Sequence, residues 1–256
     1  MNSLKLMAIL VGALLTNGLT YFGGISPVVA AASTALIFAV FVGIWRLKKA
    51  GEYLPLLYMG TFVGMSNLKS LPVMLALLSL VAASAIALVL AKLLATRLIG
   101  IGGKLGLIAF AAGIPVMMTH SQPFTGQAAP VDFDTLVIMT AISGFVLMLS
   151  GLLRKTVASP VGVSALISLA GALTPYPALI MSASFAGMSS DQNLSGWRLA
   201  AIAMVFACLF GLTFTRIEGV GGWLGLLACA AVYLVVVGER VIATIRTPIP
   251  EAEEPA

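Results

Sequence analysis

The sequence predicts an all-α polytopic membrane protein. About ten transmembrane segments form two inverted five-helix repeats, with short or broken third and eighth segments. Three observations carry this. The chain is 60% hydrophobic and 9% charged, with a mean hydropathy of +1.10, whereas soluble domains carry about 25% charged residues. Its apolar runs are long and unbroken, which suits spanning helices and not the alternating strands of a barrel. Three sequence blocks also recur in the same order half a chain apart.

Runs with little or no charge, stopped by Pro or Gly near many of their ends, define the segments in order. Leu6–Tyr21 comes first. Lys5 followed by "LMAILVGALL", with small residues in "VVAAAS", resembles a signal peptide. The second-half match to that region makes it core structure, so the N-terminus is expected to be retained. Pro27–Trp45, Tyr53–Ser66, Leu71–Ala91 and Ile101–Met118 complete the first half. Leu136–Leu152, Pro160–Leu173, Tyr176–Ser189, Leu199–Phe214 and Gly221–Val237 make the second. Tyr53–Ser66 and Tyr176–Ser189 give helices of roughly 20 Å against a hydrocarbon core of about 30 Å. Each is expected to be a half-helix with extended backbone, a re-entrant loop or a short buried span.

The repeat is explicit. "ISPVVAAASTALIF" from Ile25 matches "ASPVGVSALISLAG" from Ala158, and "PLLYMGTFVGMS" from Pro55 matches "PALIMSASFAGMS" from Pro177. "RLIGIGGKLGLIAFAA" from Arg97 matches "RIEGVGGWLGLLACAA" from Arg216. The expected organisation is a first five-span repeat over 1–120 and an external linker over 121–134. An inverted second repeat follows over 135–242, then a cytoplasmic disordered tail over 243–256.

Five spans per repeat turn the second repeat upside down relative to the first. The charges agree: with the N-terminus inside, Lys5, Arg46, Lys48, Lys49, Lys92, Arg97, Arg154, Lys155, Arg198, Arg240 and Arg246 all fall inside. Lys69 and Arg216 are exceptions, and Lys104 is ambiguous. The net charge of +5 therefore reads as topology and not as nucleic-acid binding. A bacterial inner membrane is the expected location, with both termini cytoplasmic.

The chemistry-bearing residues are few. No long span carries Asp or Glu, the usual sign of a proton or sodium relay. His120 is the single histidine and has no metal-binding company; Cys208 and Cys229 lie in apolar runs and read as packing residues. No nucleophile motif appears, so neither an enzyme, a metal nor a cofactor is expected. "GIGGKLG" and "GVGGWLG" lack nucleotide-loop spacing and read as small-residue helix packing. The paired short segments are the candidate site, because paired interrupted segments in corresponding halves point to a transporter's binding site. They supply Thr61, Gly64, Ser66 and Asn67 from one copy, and Ser182, Ser184, Gly187, Ser189 and Ser190 from the other. Hydroxyls, glycine N–H groups and helix N-termini there would suit a small polar or anionic solute.

The expectation is a secondary transporter or facilitator working by alternating access. Its partners are the lipid bilayer and a small solute, with a homo-oligomer compatible. A non-transporting membrane subunit or assembly partner of a larger complex, and a channel, are the alternatives. The likeness to five-plus-five transporters is architectural, and a fold does not license a substrate.

Overall fold

A computed structural model describes residues 2–45, 51–119, 131–156, 159–213, 217 and 220–246. Among these residues the protein is all-helical. The helices are α1 Asn2–Tyr21, α2 Pro27–Ile44, α3 Leu54–Gly64, α4 Val73–Leu93, α5 Lys104–Met118, α6 Phe133–Thr156, α7 Pro160–Gly171, α8 Pro177–Ala186, α9 Trp197–Thr213 and α10 Trp223–Arg246. Five of them, α1, α2, α4, α6 and α10, are long and apolar enough to cross a membrane; the others are shorter apolar helices. His120, Arg216, most of the linker and the tail from residue 247 lie outside the described residues.

Local chemistry repeats between the halves. α2 opens with Ser26, whose hydroxyl accepts from Val29 N, followed by Pro27. α7 opens with Ser159, whose hydroxyl accepts from Gly162 N, followed by Pro160. A serine cap satisfies an orphan N–H, and a proline at the first helical position gives up none. α3 and α8 also carry proline in their first turn.

α3 and α8 are short but continuous. Their 11 and 10 residues make helices of about 15 Å. Most of their side chains are buried, so they form the inner layer and the longer helices surround them. In lipid, apolar burial would drive no helix association, and close backbone approach would hold the layers together. Between α1 and α3 this approach is extreme. A Cβ on Gly12, Gly60 or Gly64 would stand 2.1, 2.0 or 2.4 Å from a carbonyl oxygen of the facing helix. Gly60 meets Ile9 and Gly64 meets Ala13, so α1 and α3 run parallel.

Every helix pairing has a counterpart five helices on. α1 packs on α3 and α4, as α6 packs on α8 and α9; α5 packs on α3 and α4, as α10 packs on α8 and α9. α2 packs on α7 and α5 on α10, each against its own counterpart. The α5–α10 contact is antiparallel: Gly103 faces Gly225 and Cys229, Gly106 faces Gly222 and Gly225, and Gly222 faces Gly106 and Phe110. A Cβ on Gly106 would lie 2.5 Å from Gly225 Cα, and one on Gly225 would lie 2.5 Å from Gly106 Cα. The contact is therefore reciprocal, with Gly106 and Gly225 at its centre.

Candidate functional site

Two glycine turns enter the centre of this bundle. α5 and α10 each start after a glycine in the left-handed region, Gly103 at φ 78° and Gly222 at φ 85°, which a side chain would strain. The preceding glycines lie against the inner helices. A Cβ on Gly102 would meet the Phe185 carbonyl at 2.2 Å, and one on Gly221 the Phe62 carbonyl at 1.9 Å. Gly221 N donates to Ser66 Oγ at 3.1 Å, and Gly102 N donates to Ser189 Oγ at 2.8 Å. The serine of each "F-x-G-M-S" string thus holds the glycine turn of the opposite half.

The remaining residues of the sequence-derived site divide by role. Thr61 Oγ1 donates to Tyr58 O at 2.7 Å, and Ser184 Oγ at the matching position donates to Met181 O at 2.7 Å. Ser182 Oγ donates to Leu224 O, tying α8 to the first turn of α10. Gly64 packs on α1, and Gly187 packs on Ser150 of α6. Ser190 N donates to Gly100 O at 2.9 Å. Asn67 is exposed, with its Oδ1 accepting from Lys69 N at 3.4 Å. Ser66 and Asn67 of the set line a polar cavity. Its volume is about 290 Å³, and Asn17, Thr20, Tyr21 and Lys69 also line it.

The strings are carbonyl ends. Ser66 and Ser189 follow the C-termini of α3 and α8, so the N-terminal dipole argument for an anion does not apply to them. Both ends are instead held by donors. Asn17 Nδ2 reaches Gly64 O at 3.2 Å and Ser66 O at 3.3 Å. Arg154 Nη1 reaches Met188 O and Ser189 O, while Nη2 pairs with Asp191. Asn17 and Arg154 play matching roles at the two ends, but the Asn17 end opens onto the cavity and the Arg154 end carries an ion pair to Asp191.

Between the strings lies a hydroxyl chain. Tyr58 OH meets Ser164 Oγ at 3.0 Å, and Ser164 Oγ meets Ser184 Oγ at 2.7 Å. Ser168 Oγ donates to Ser164 O at 2.7 Å. Taken as Tyr58 to Ser164 to Ser184 to the Met181 carbonyl, every proton has an acceptor. The rings of Tyr58, Phe62 and Phe185 close over this chain at centroid separations of 4.6, 5.9 and 4.9 Å.

Sequence reasoning missed Arg154 and Trp223. Arg154 ends an apolar run and reads as a topological charge. Trp223, the first residue of α10, reads as part of a packing stripe. The available signal was its place in the Arg-x-x-Gly-x-Gly-Gly frame, whose matching position is Lys104. Compared with protein-family models, curated proteins and solved structures, the chain matches none.

Proposed function

We propose that the chain is a secondary transporter or facilitator of a small polar or anionic solute, with ten membrane segments in two inverted repeats. The observation that carries the reading is the meeting of the α5 and α10 N-termini inside the bundle. Gly60 against Ile9 and Gly64 against Ala13 bring Phe62 level with the middle of α1, and Gly221 lies on the Phe62 carbonyl. If α1 spans the bilayer, α10 therefore starts near its centre, and the reciprocal α5 contact gives α5 the same depth. Helix N-termini that meet inside the membrane are how many inverted-repeat transporters build a solute site. α5 and α10 fill that role here in place of the third and eighth segments.

A two-fold exchange of antiparallel helices needs an axis perpendicular to them. For membrane-spanning helices that axis lies in the membrane plane, which supports inversion. The unequal ends support alternating access. The α3 end opens onto a polar cavity, whereas the corresponding α8 end carries the Arg154–Asp191 ion pair, an asymmetry that a molecule open to one side would show. Alternating access exchanges these two conditions.

Flux into proteoliposomes containing the purified protein tests the reading, using small anions, neutral polar solutes and cations. Saturable flux of a polar or anionic solute is the expected outcome. A protein that passes none of them and copurifies with a stable partner is a subunit of a complex instead.

A further inference from the structure

Among the described residues, the first turn of α10 holds donors without acceptors. Gly225 N and Leu226 N both bond to Gly222 O, so Trp223 N and Leu224 N precede the first bond of the helix. Trp223 itself is 9% exposed, and its indole Nε1 is buried without a hydrogen-bond partner among the described residues. A buried unmade hydrogen bond is costly, so such a group calls for an acceptor. Side chains on a helix lean toward its N-terminus, so Trp223, at the first position, leans toward the start of α10. Its ring is fixed there by Phe110 at 5.4 Å between centroids. The helix end adds partial positive charge, and Lys104 occupies the matching first position of α5. No carboxylate occurs among the described residues of either turn; Glu218 lies outside them.

We propose that the N-terminus of α10, with the Trp223 indole N–H, is an anion subsite at the centre of the protein, taking a small carboxylate or a monoanion of similar size. This deepens the transporter reading and rests on it for its place in a solute path. The subsite supplies hydrogen-bond donors and the partial positive charge of a helix end, with no full charge to trap the ligand. That suits a solute that must leave again.

The chain has three tryptophans, so Trp45→Phe with Trp197→Phe leaves Trp223 as the sole tryptophan reporter. Titration of this protein with sodium acetate gives a saturable change in tryptophan emission, and acetamide, its uncharged analogue, gives none. An absent or unsaturable acetate response, or an equal response to acetamide, overturns the subsite. So does a Glu218→Gln variant that abolishes the acetate-free burial of the indole signal, because Glu218 is then the acceptor. In the otherwise native chain, Trp223→Phe weakens acetate-induced thermal stabilisation, raising the apparent dissociation constant about tenfold. If that variant fails to fold, the single-tryptophan titration still decides. A Trp223 response without flux of any solute leaves the subsite and removes the transporter; flux without the response does the reverse.

Discussion

Arg154 and Asn17 show how one residue can separate two otherwise matching ends. Each lies toward the C-terminal end of its helix and supplies donors to the carbonyls at the end of an inner helix, where an amide suffices and a guanidinium does more. Arg154 is 15% exposed and bonds two carbonyls as well as Asp191, whereas Asp191 is 75% exposed. The carbonyl contacts are therefore the strong part and the ion pair the weak one. Arg154→Gln should lower stability in detergent by about 1–3 kcal/mol, as charged hydrogen bonds do. Asp191→Asn should lose less than about 1 kcal/mol, because an exposed partner is screened by solvent. Thermal or denaturant unfolding of both variants measures the order, and equal losses would place the stabilisation in the ion pair. Ser66→Ala and Ser189→Ala should each cost about 1–3 kcal/mol, since each strands a buried glycine N–H. Their near equality is a check on the reciprocity of the two glycine turns.

Among the elements, the short inner helices and the antiparallel α5–α10 contact were unequally legible. Pro55 and Pro177, with polar residues after Ser66 and Ser189, made the shortness of α3 and α8 readable, and all ten apolar runs became helices. What the runs concealed was where chain enters the interior. Ile101–Met118 reads as one run when its Gly-Gly pair is assigned to helix packing, and that assignment merged the glycine turn at Gly102 and Gly103 with the helix that starts at Lys104. Hydropathy reports burial in lipid, and a turn held by a serine from the opposite half is as apolar as a helix. The serines themselves were found by their repetition, but their partners depend on long-range packing that no local pattern encodes. The α5–α10 contact carries the sharpest steric prediction. Gly106→Leu puts a side chain where Gly225 Cα stands 2.5 Å from a bare Cβ, and overpacking of a close contact costs about 1–3 kcal/mol or more. It should abolish a monodisperse folded peak in size-exclusion chromatography. Gly18→Leu, with nothing within 4 Å of its Cβ, should leave that peak intact.

At the scale of the whole molecule, one arrangement appears twice, and the differences between the copies bear on function. The helix pairings match between the halves, and under the transporter reading a cavity at the α3 end and an ion pair at the α8 end would be two conditions of one design. If the repeats are inverted, these ends face opposite sides of the membrane. Lys69, just beyond α3, then lies on the external side, and Asp191, just beyond α8, on the cytoplasmic side. This also accounts for Lys69 as an exception to the distribution of positive charge: a lysine at the rim of a polar cavity is kept for that cavity, while lysines in short loops otherwise follow topology. The prediction is made on a chain with Cys208→Ser and Cys229→Ala, which removes both native thiols. A single cysteine at position 69 in intact cells should react with a membrane-impermeant maleimide. One at position 191 should react only after the cells are opened. Labelling of both from one side would refute inversion, because the antiparallel contact of α5 with its counterpart α10 cannot be kept by repeats that point the same way. A rocking exchange between the cavity and the ion pair would then have no axis to turn about.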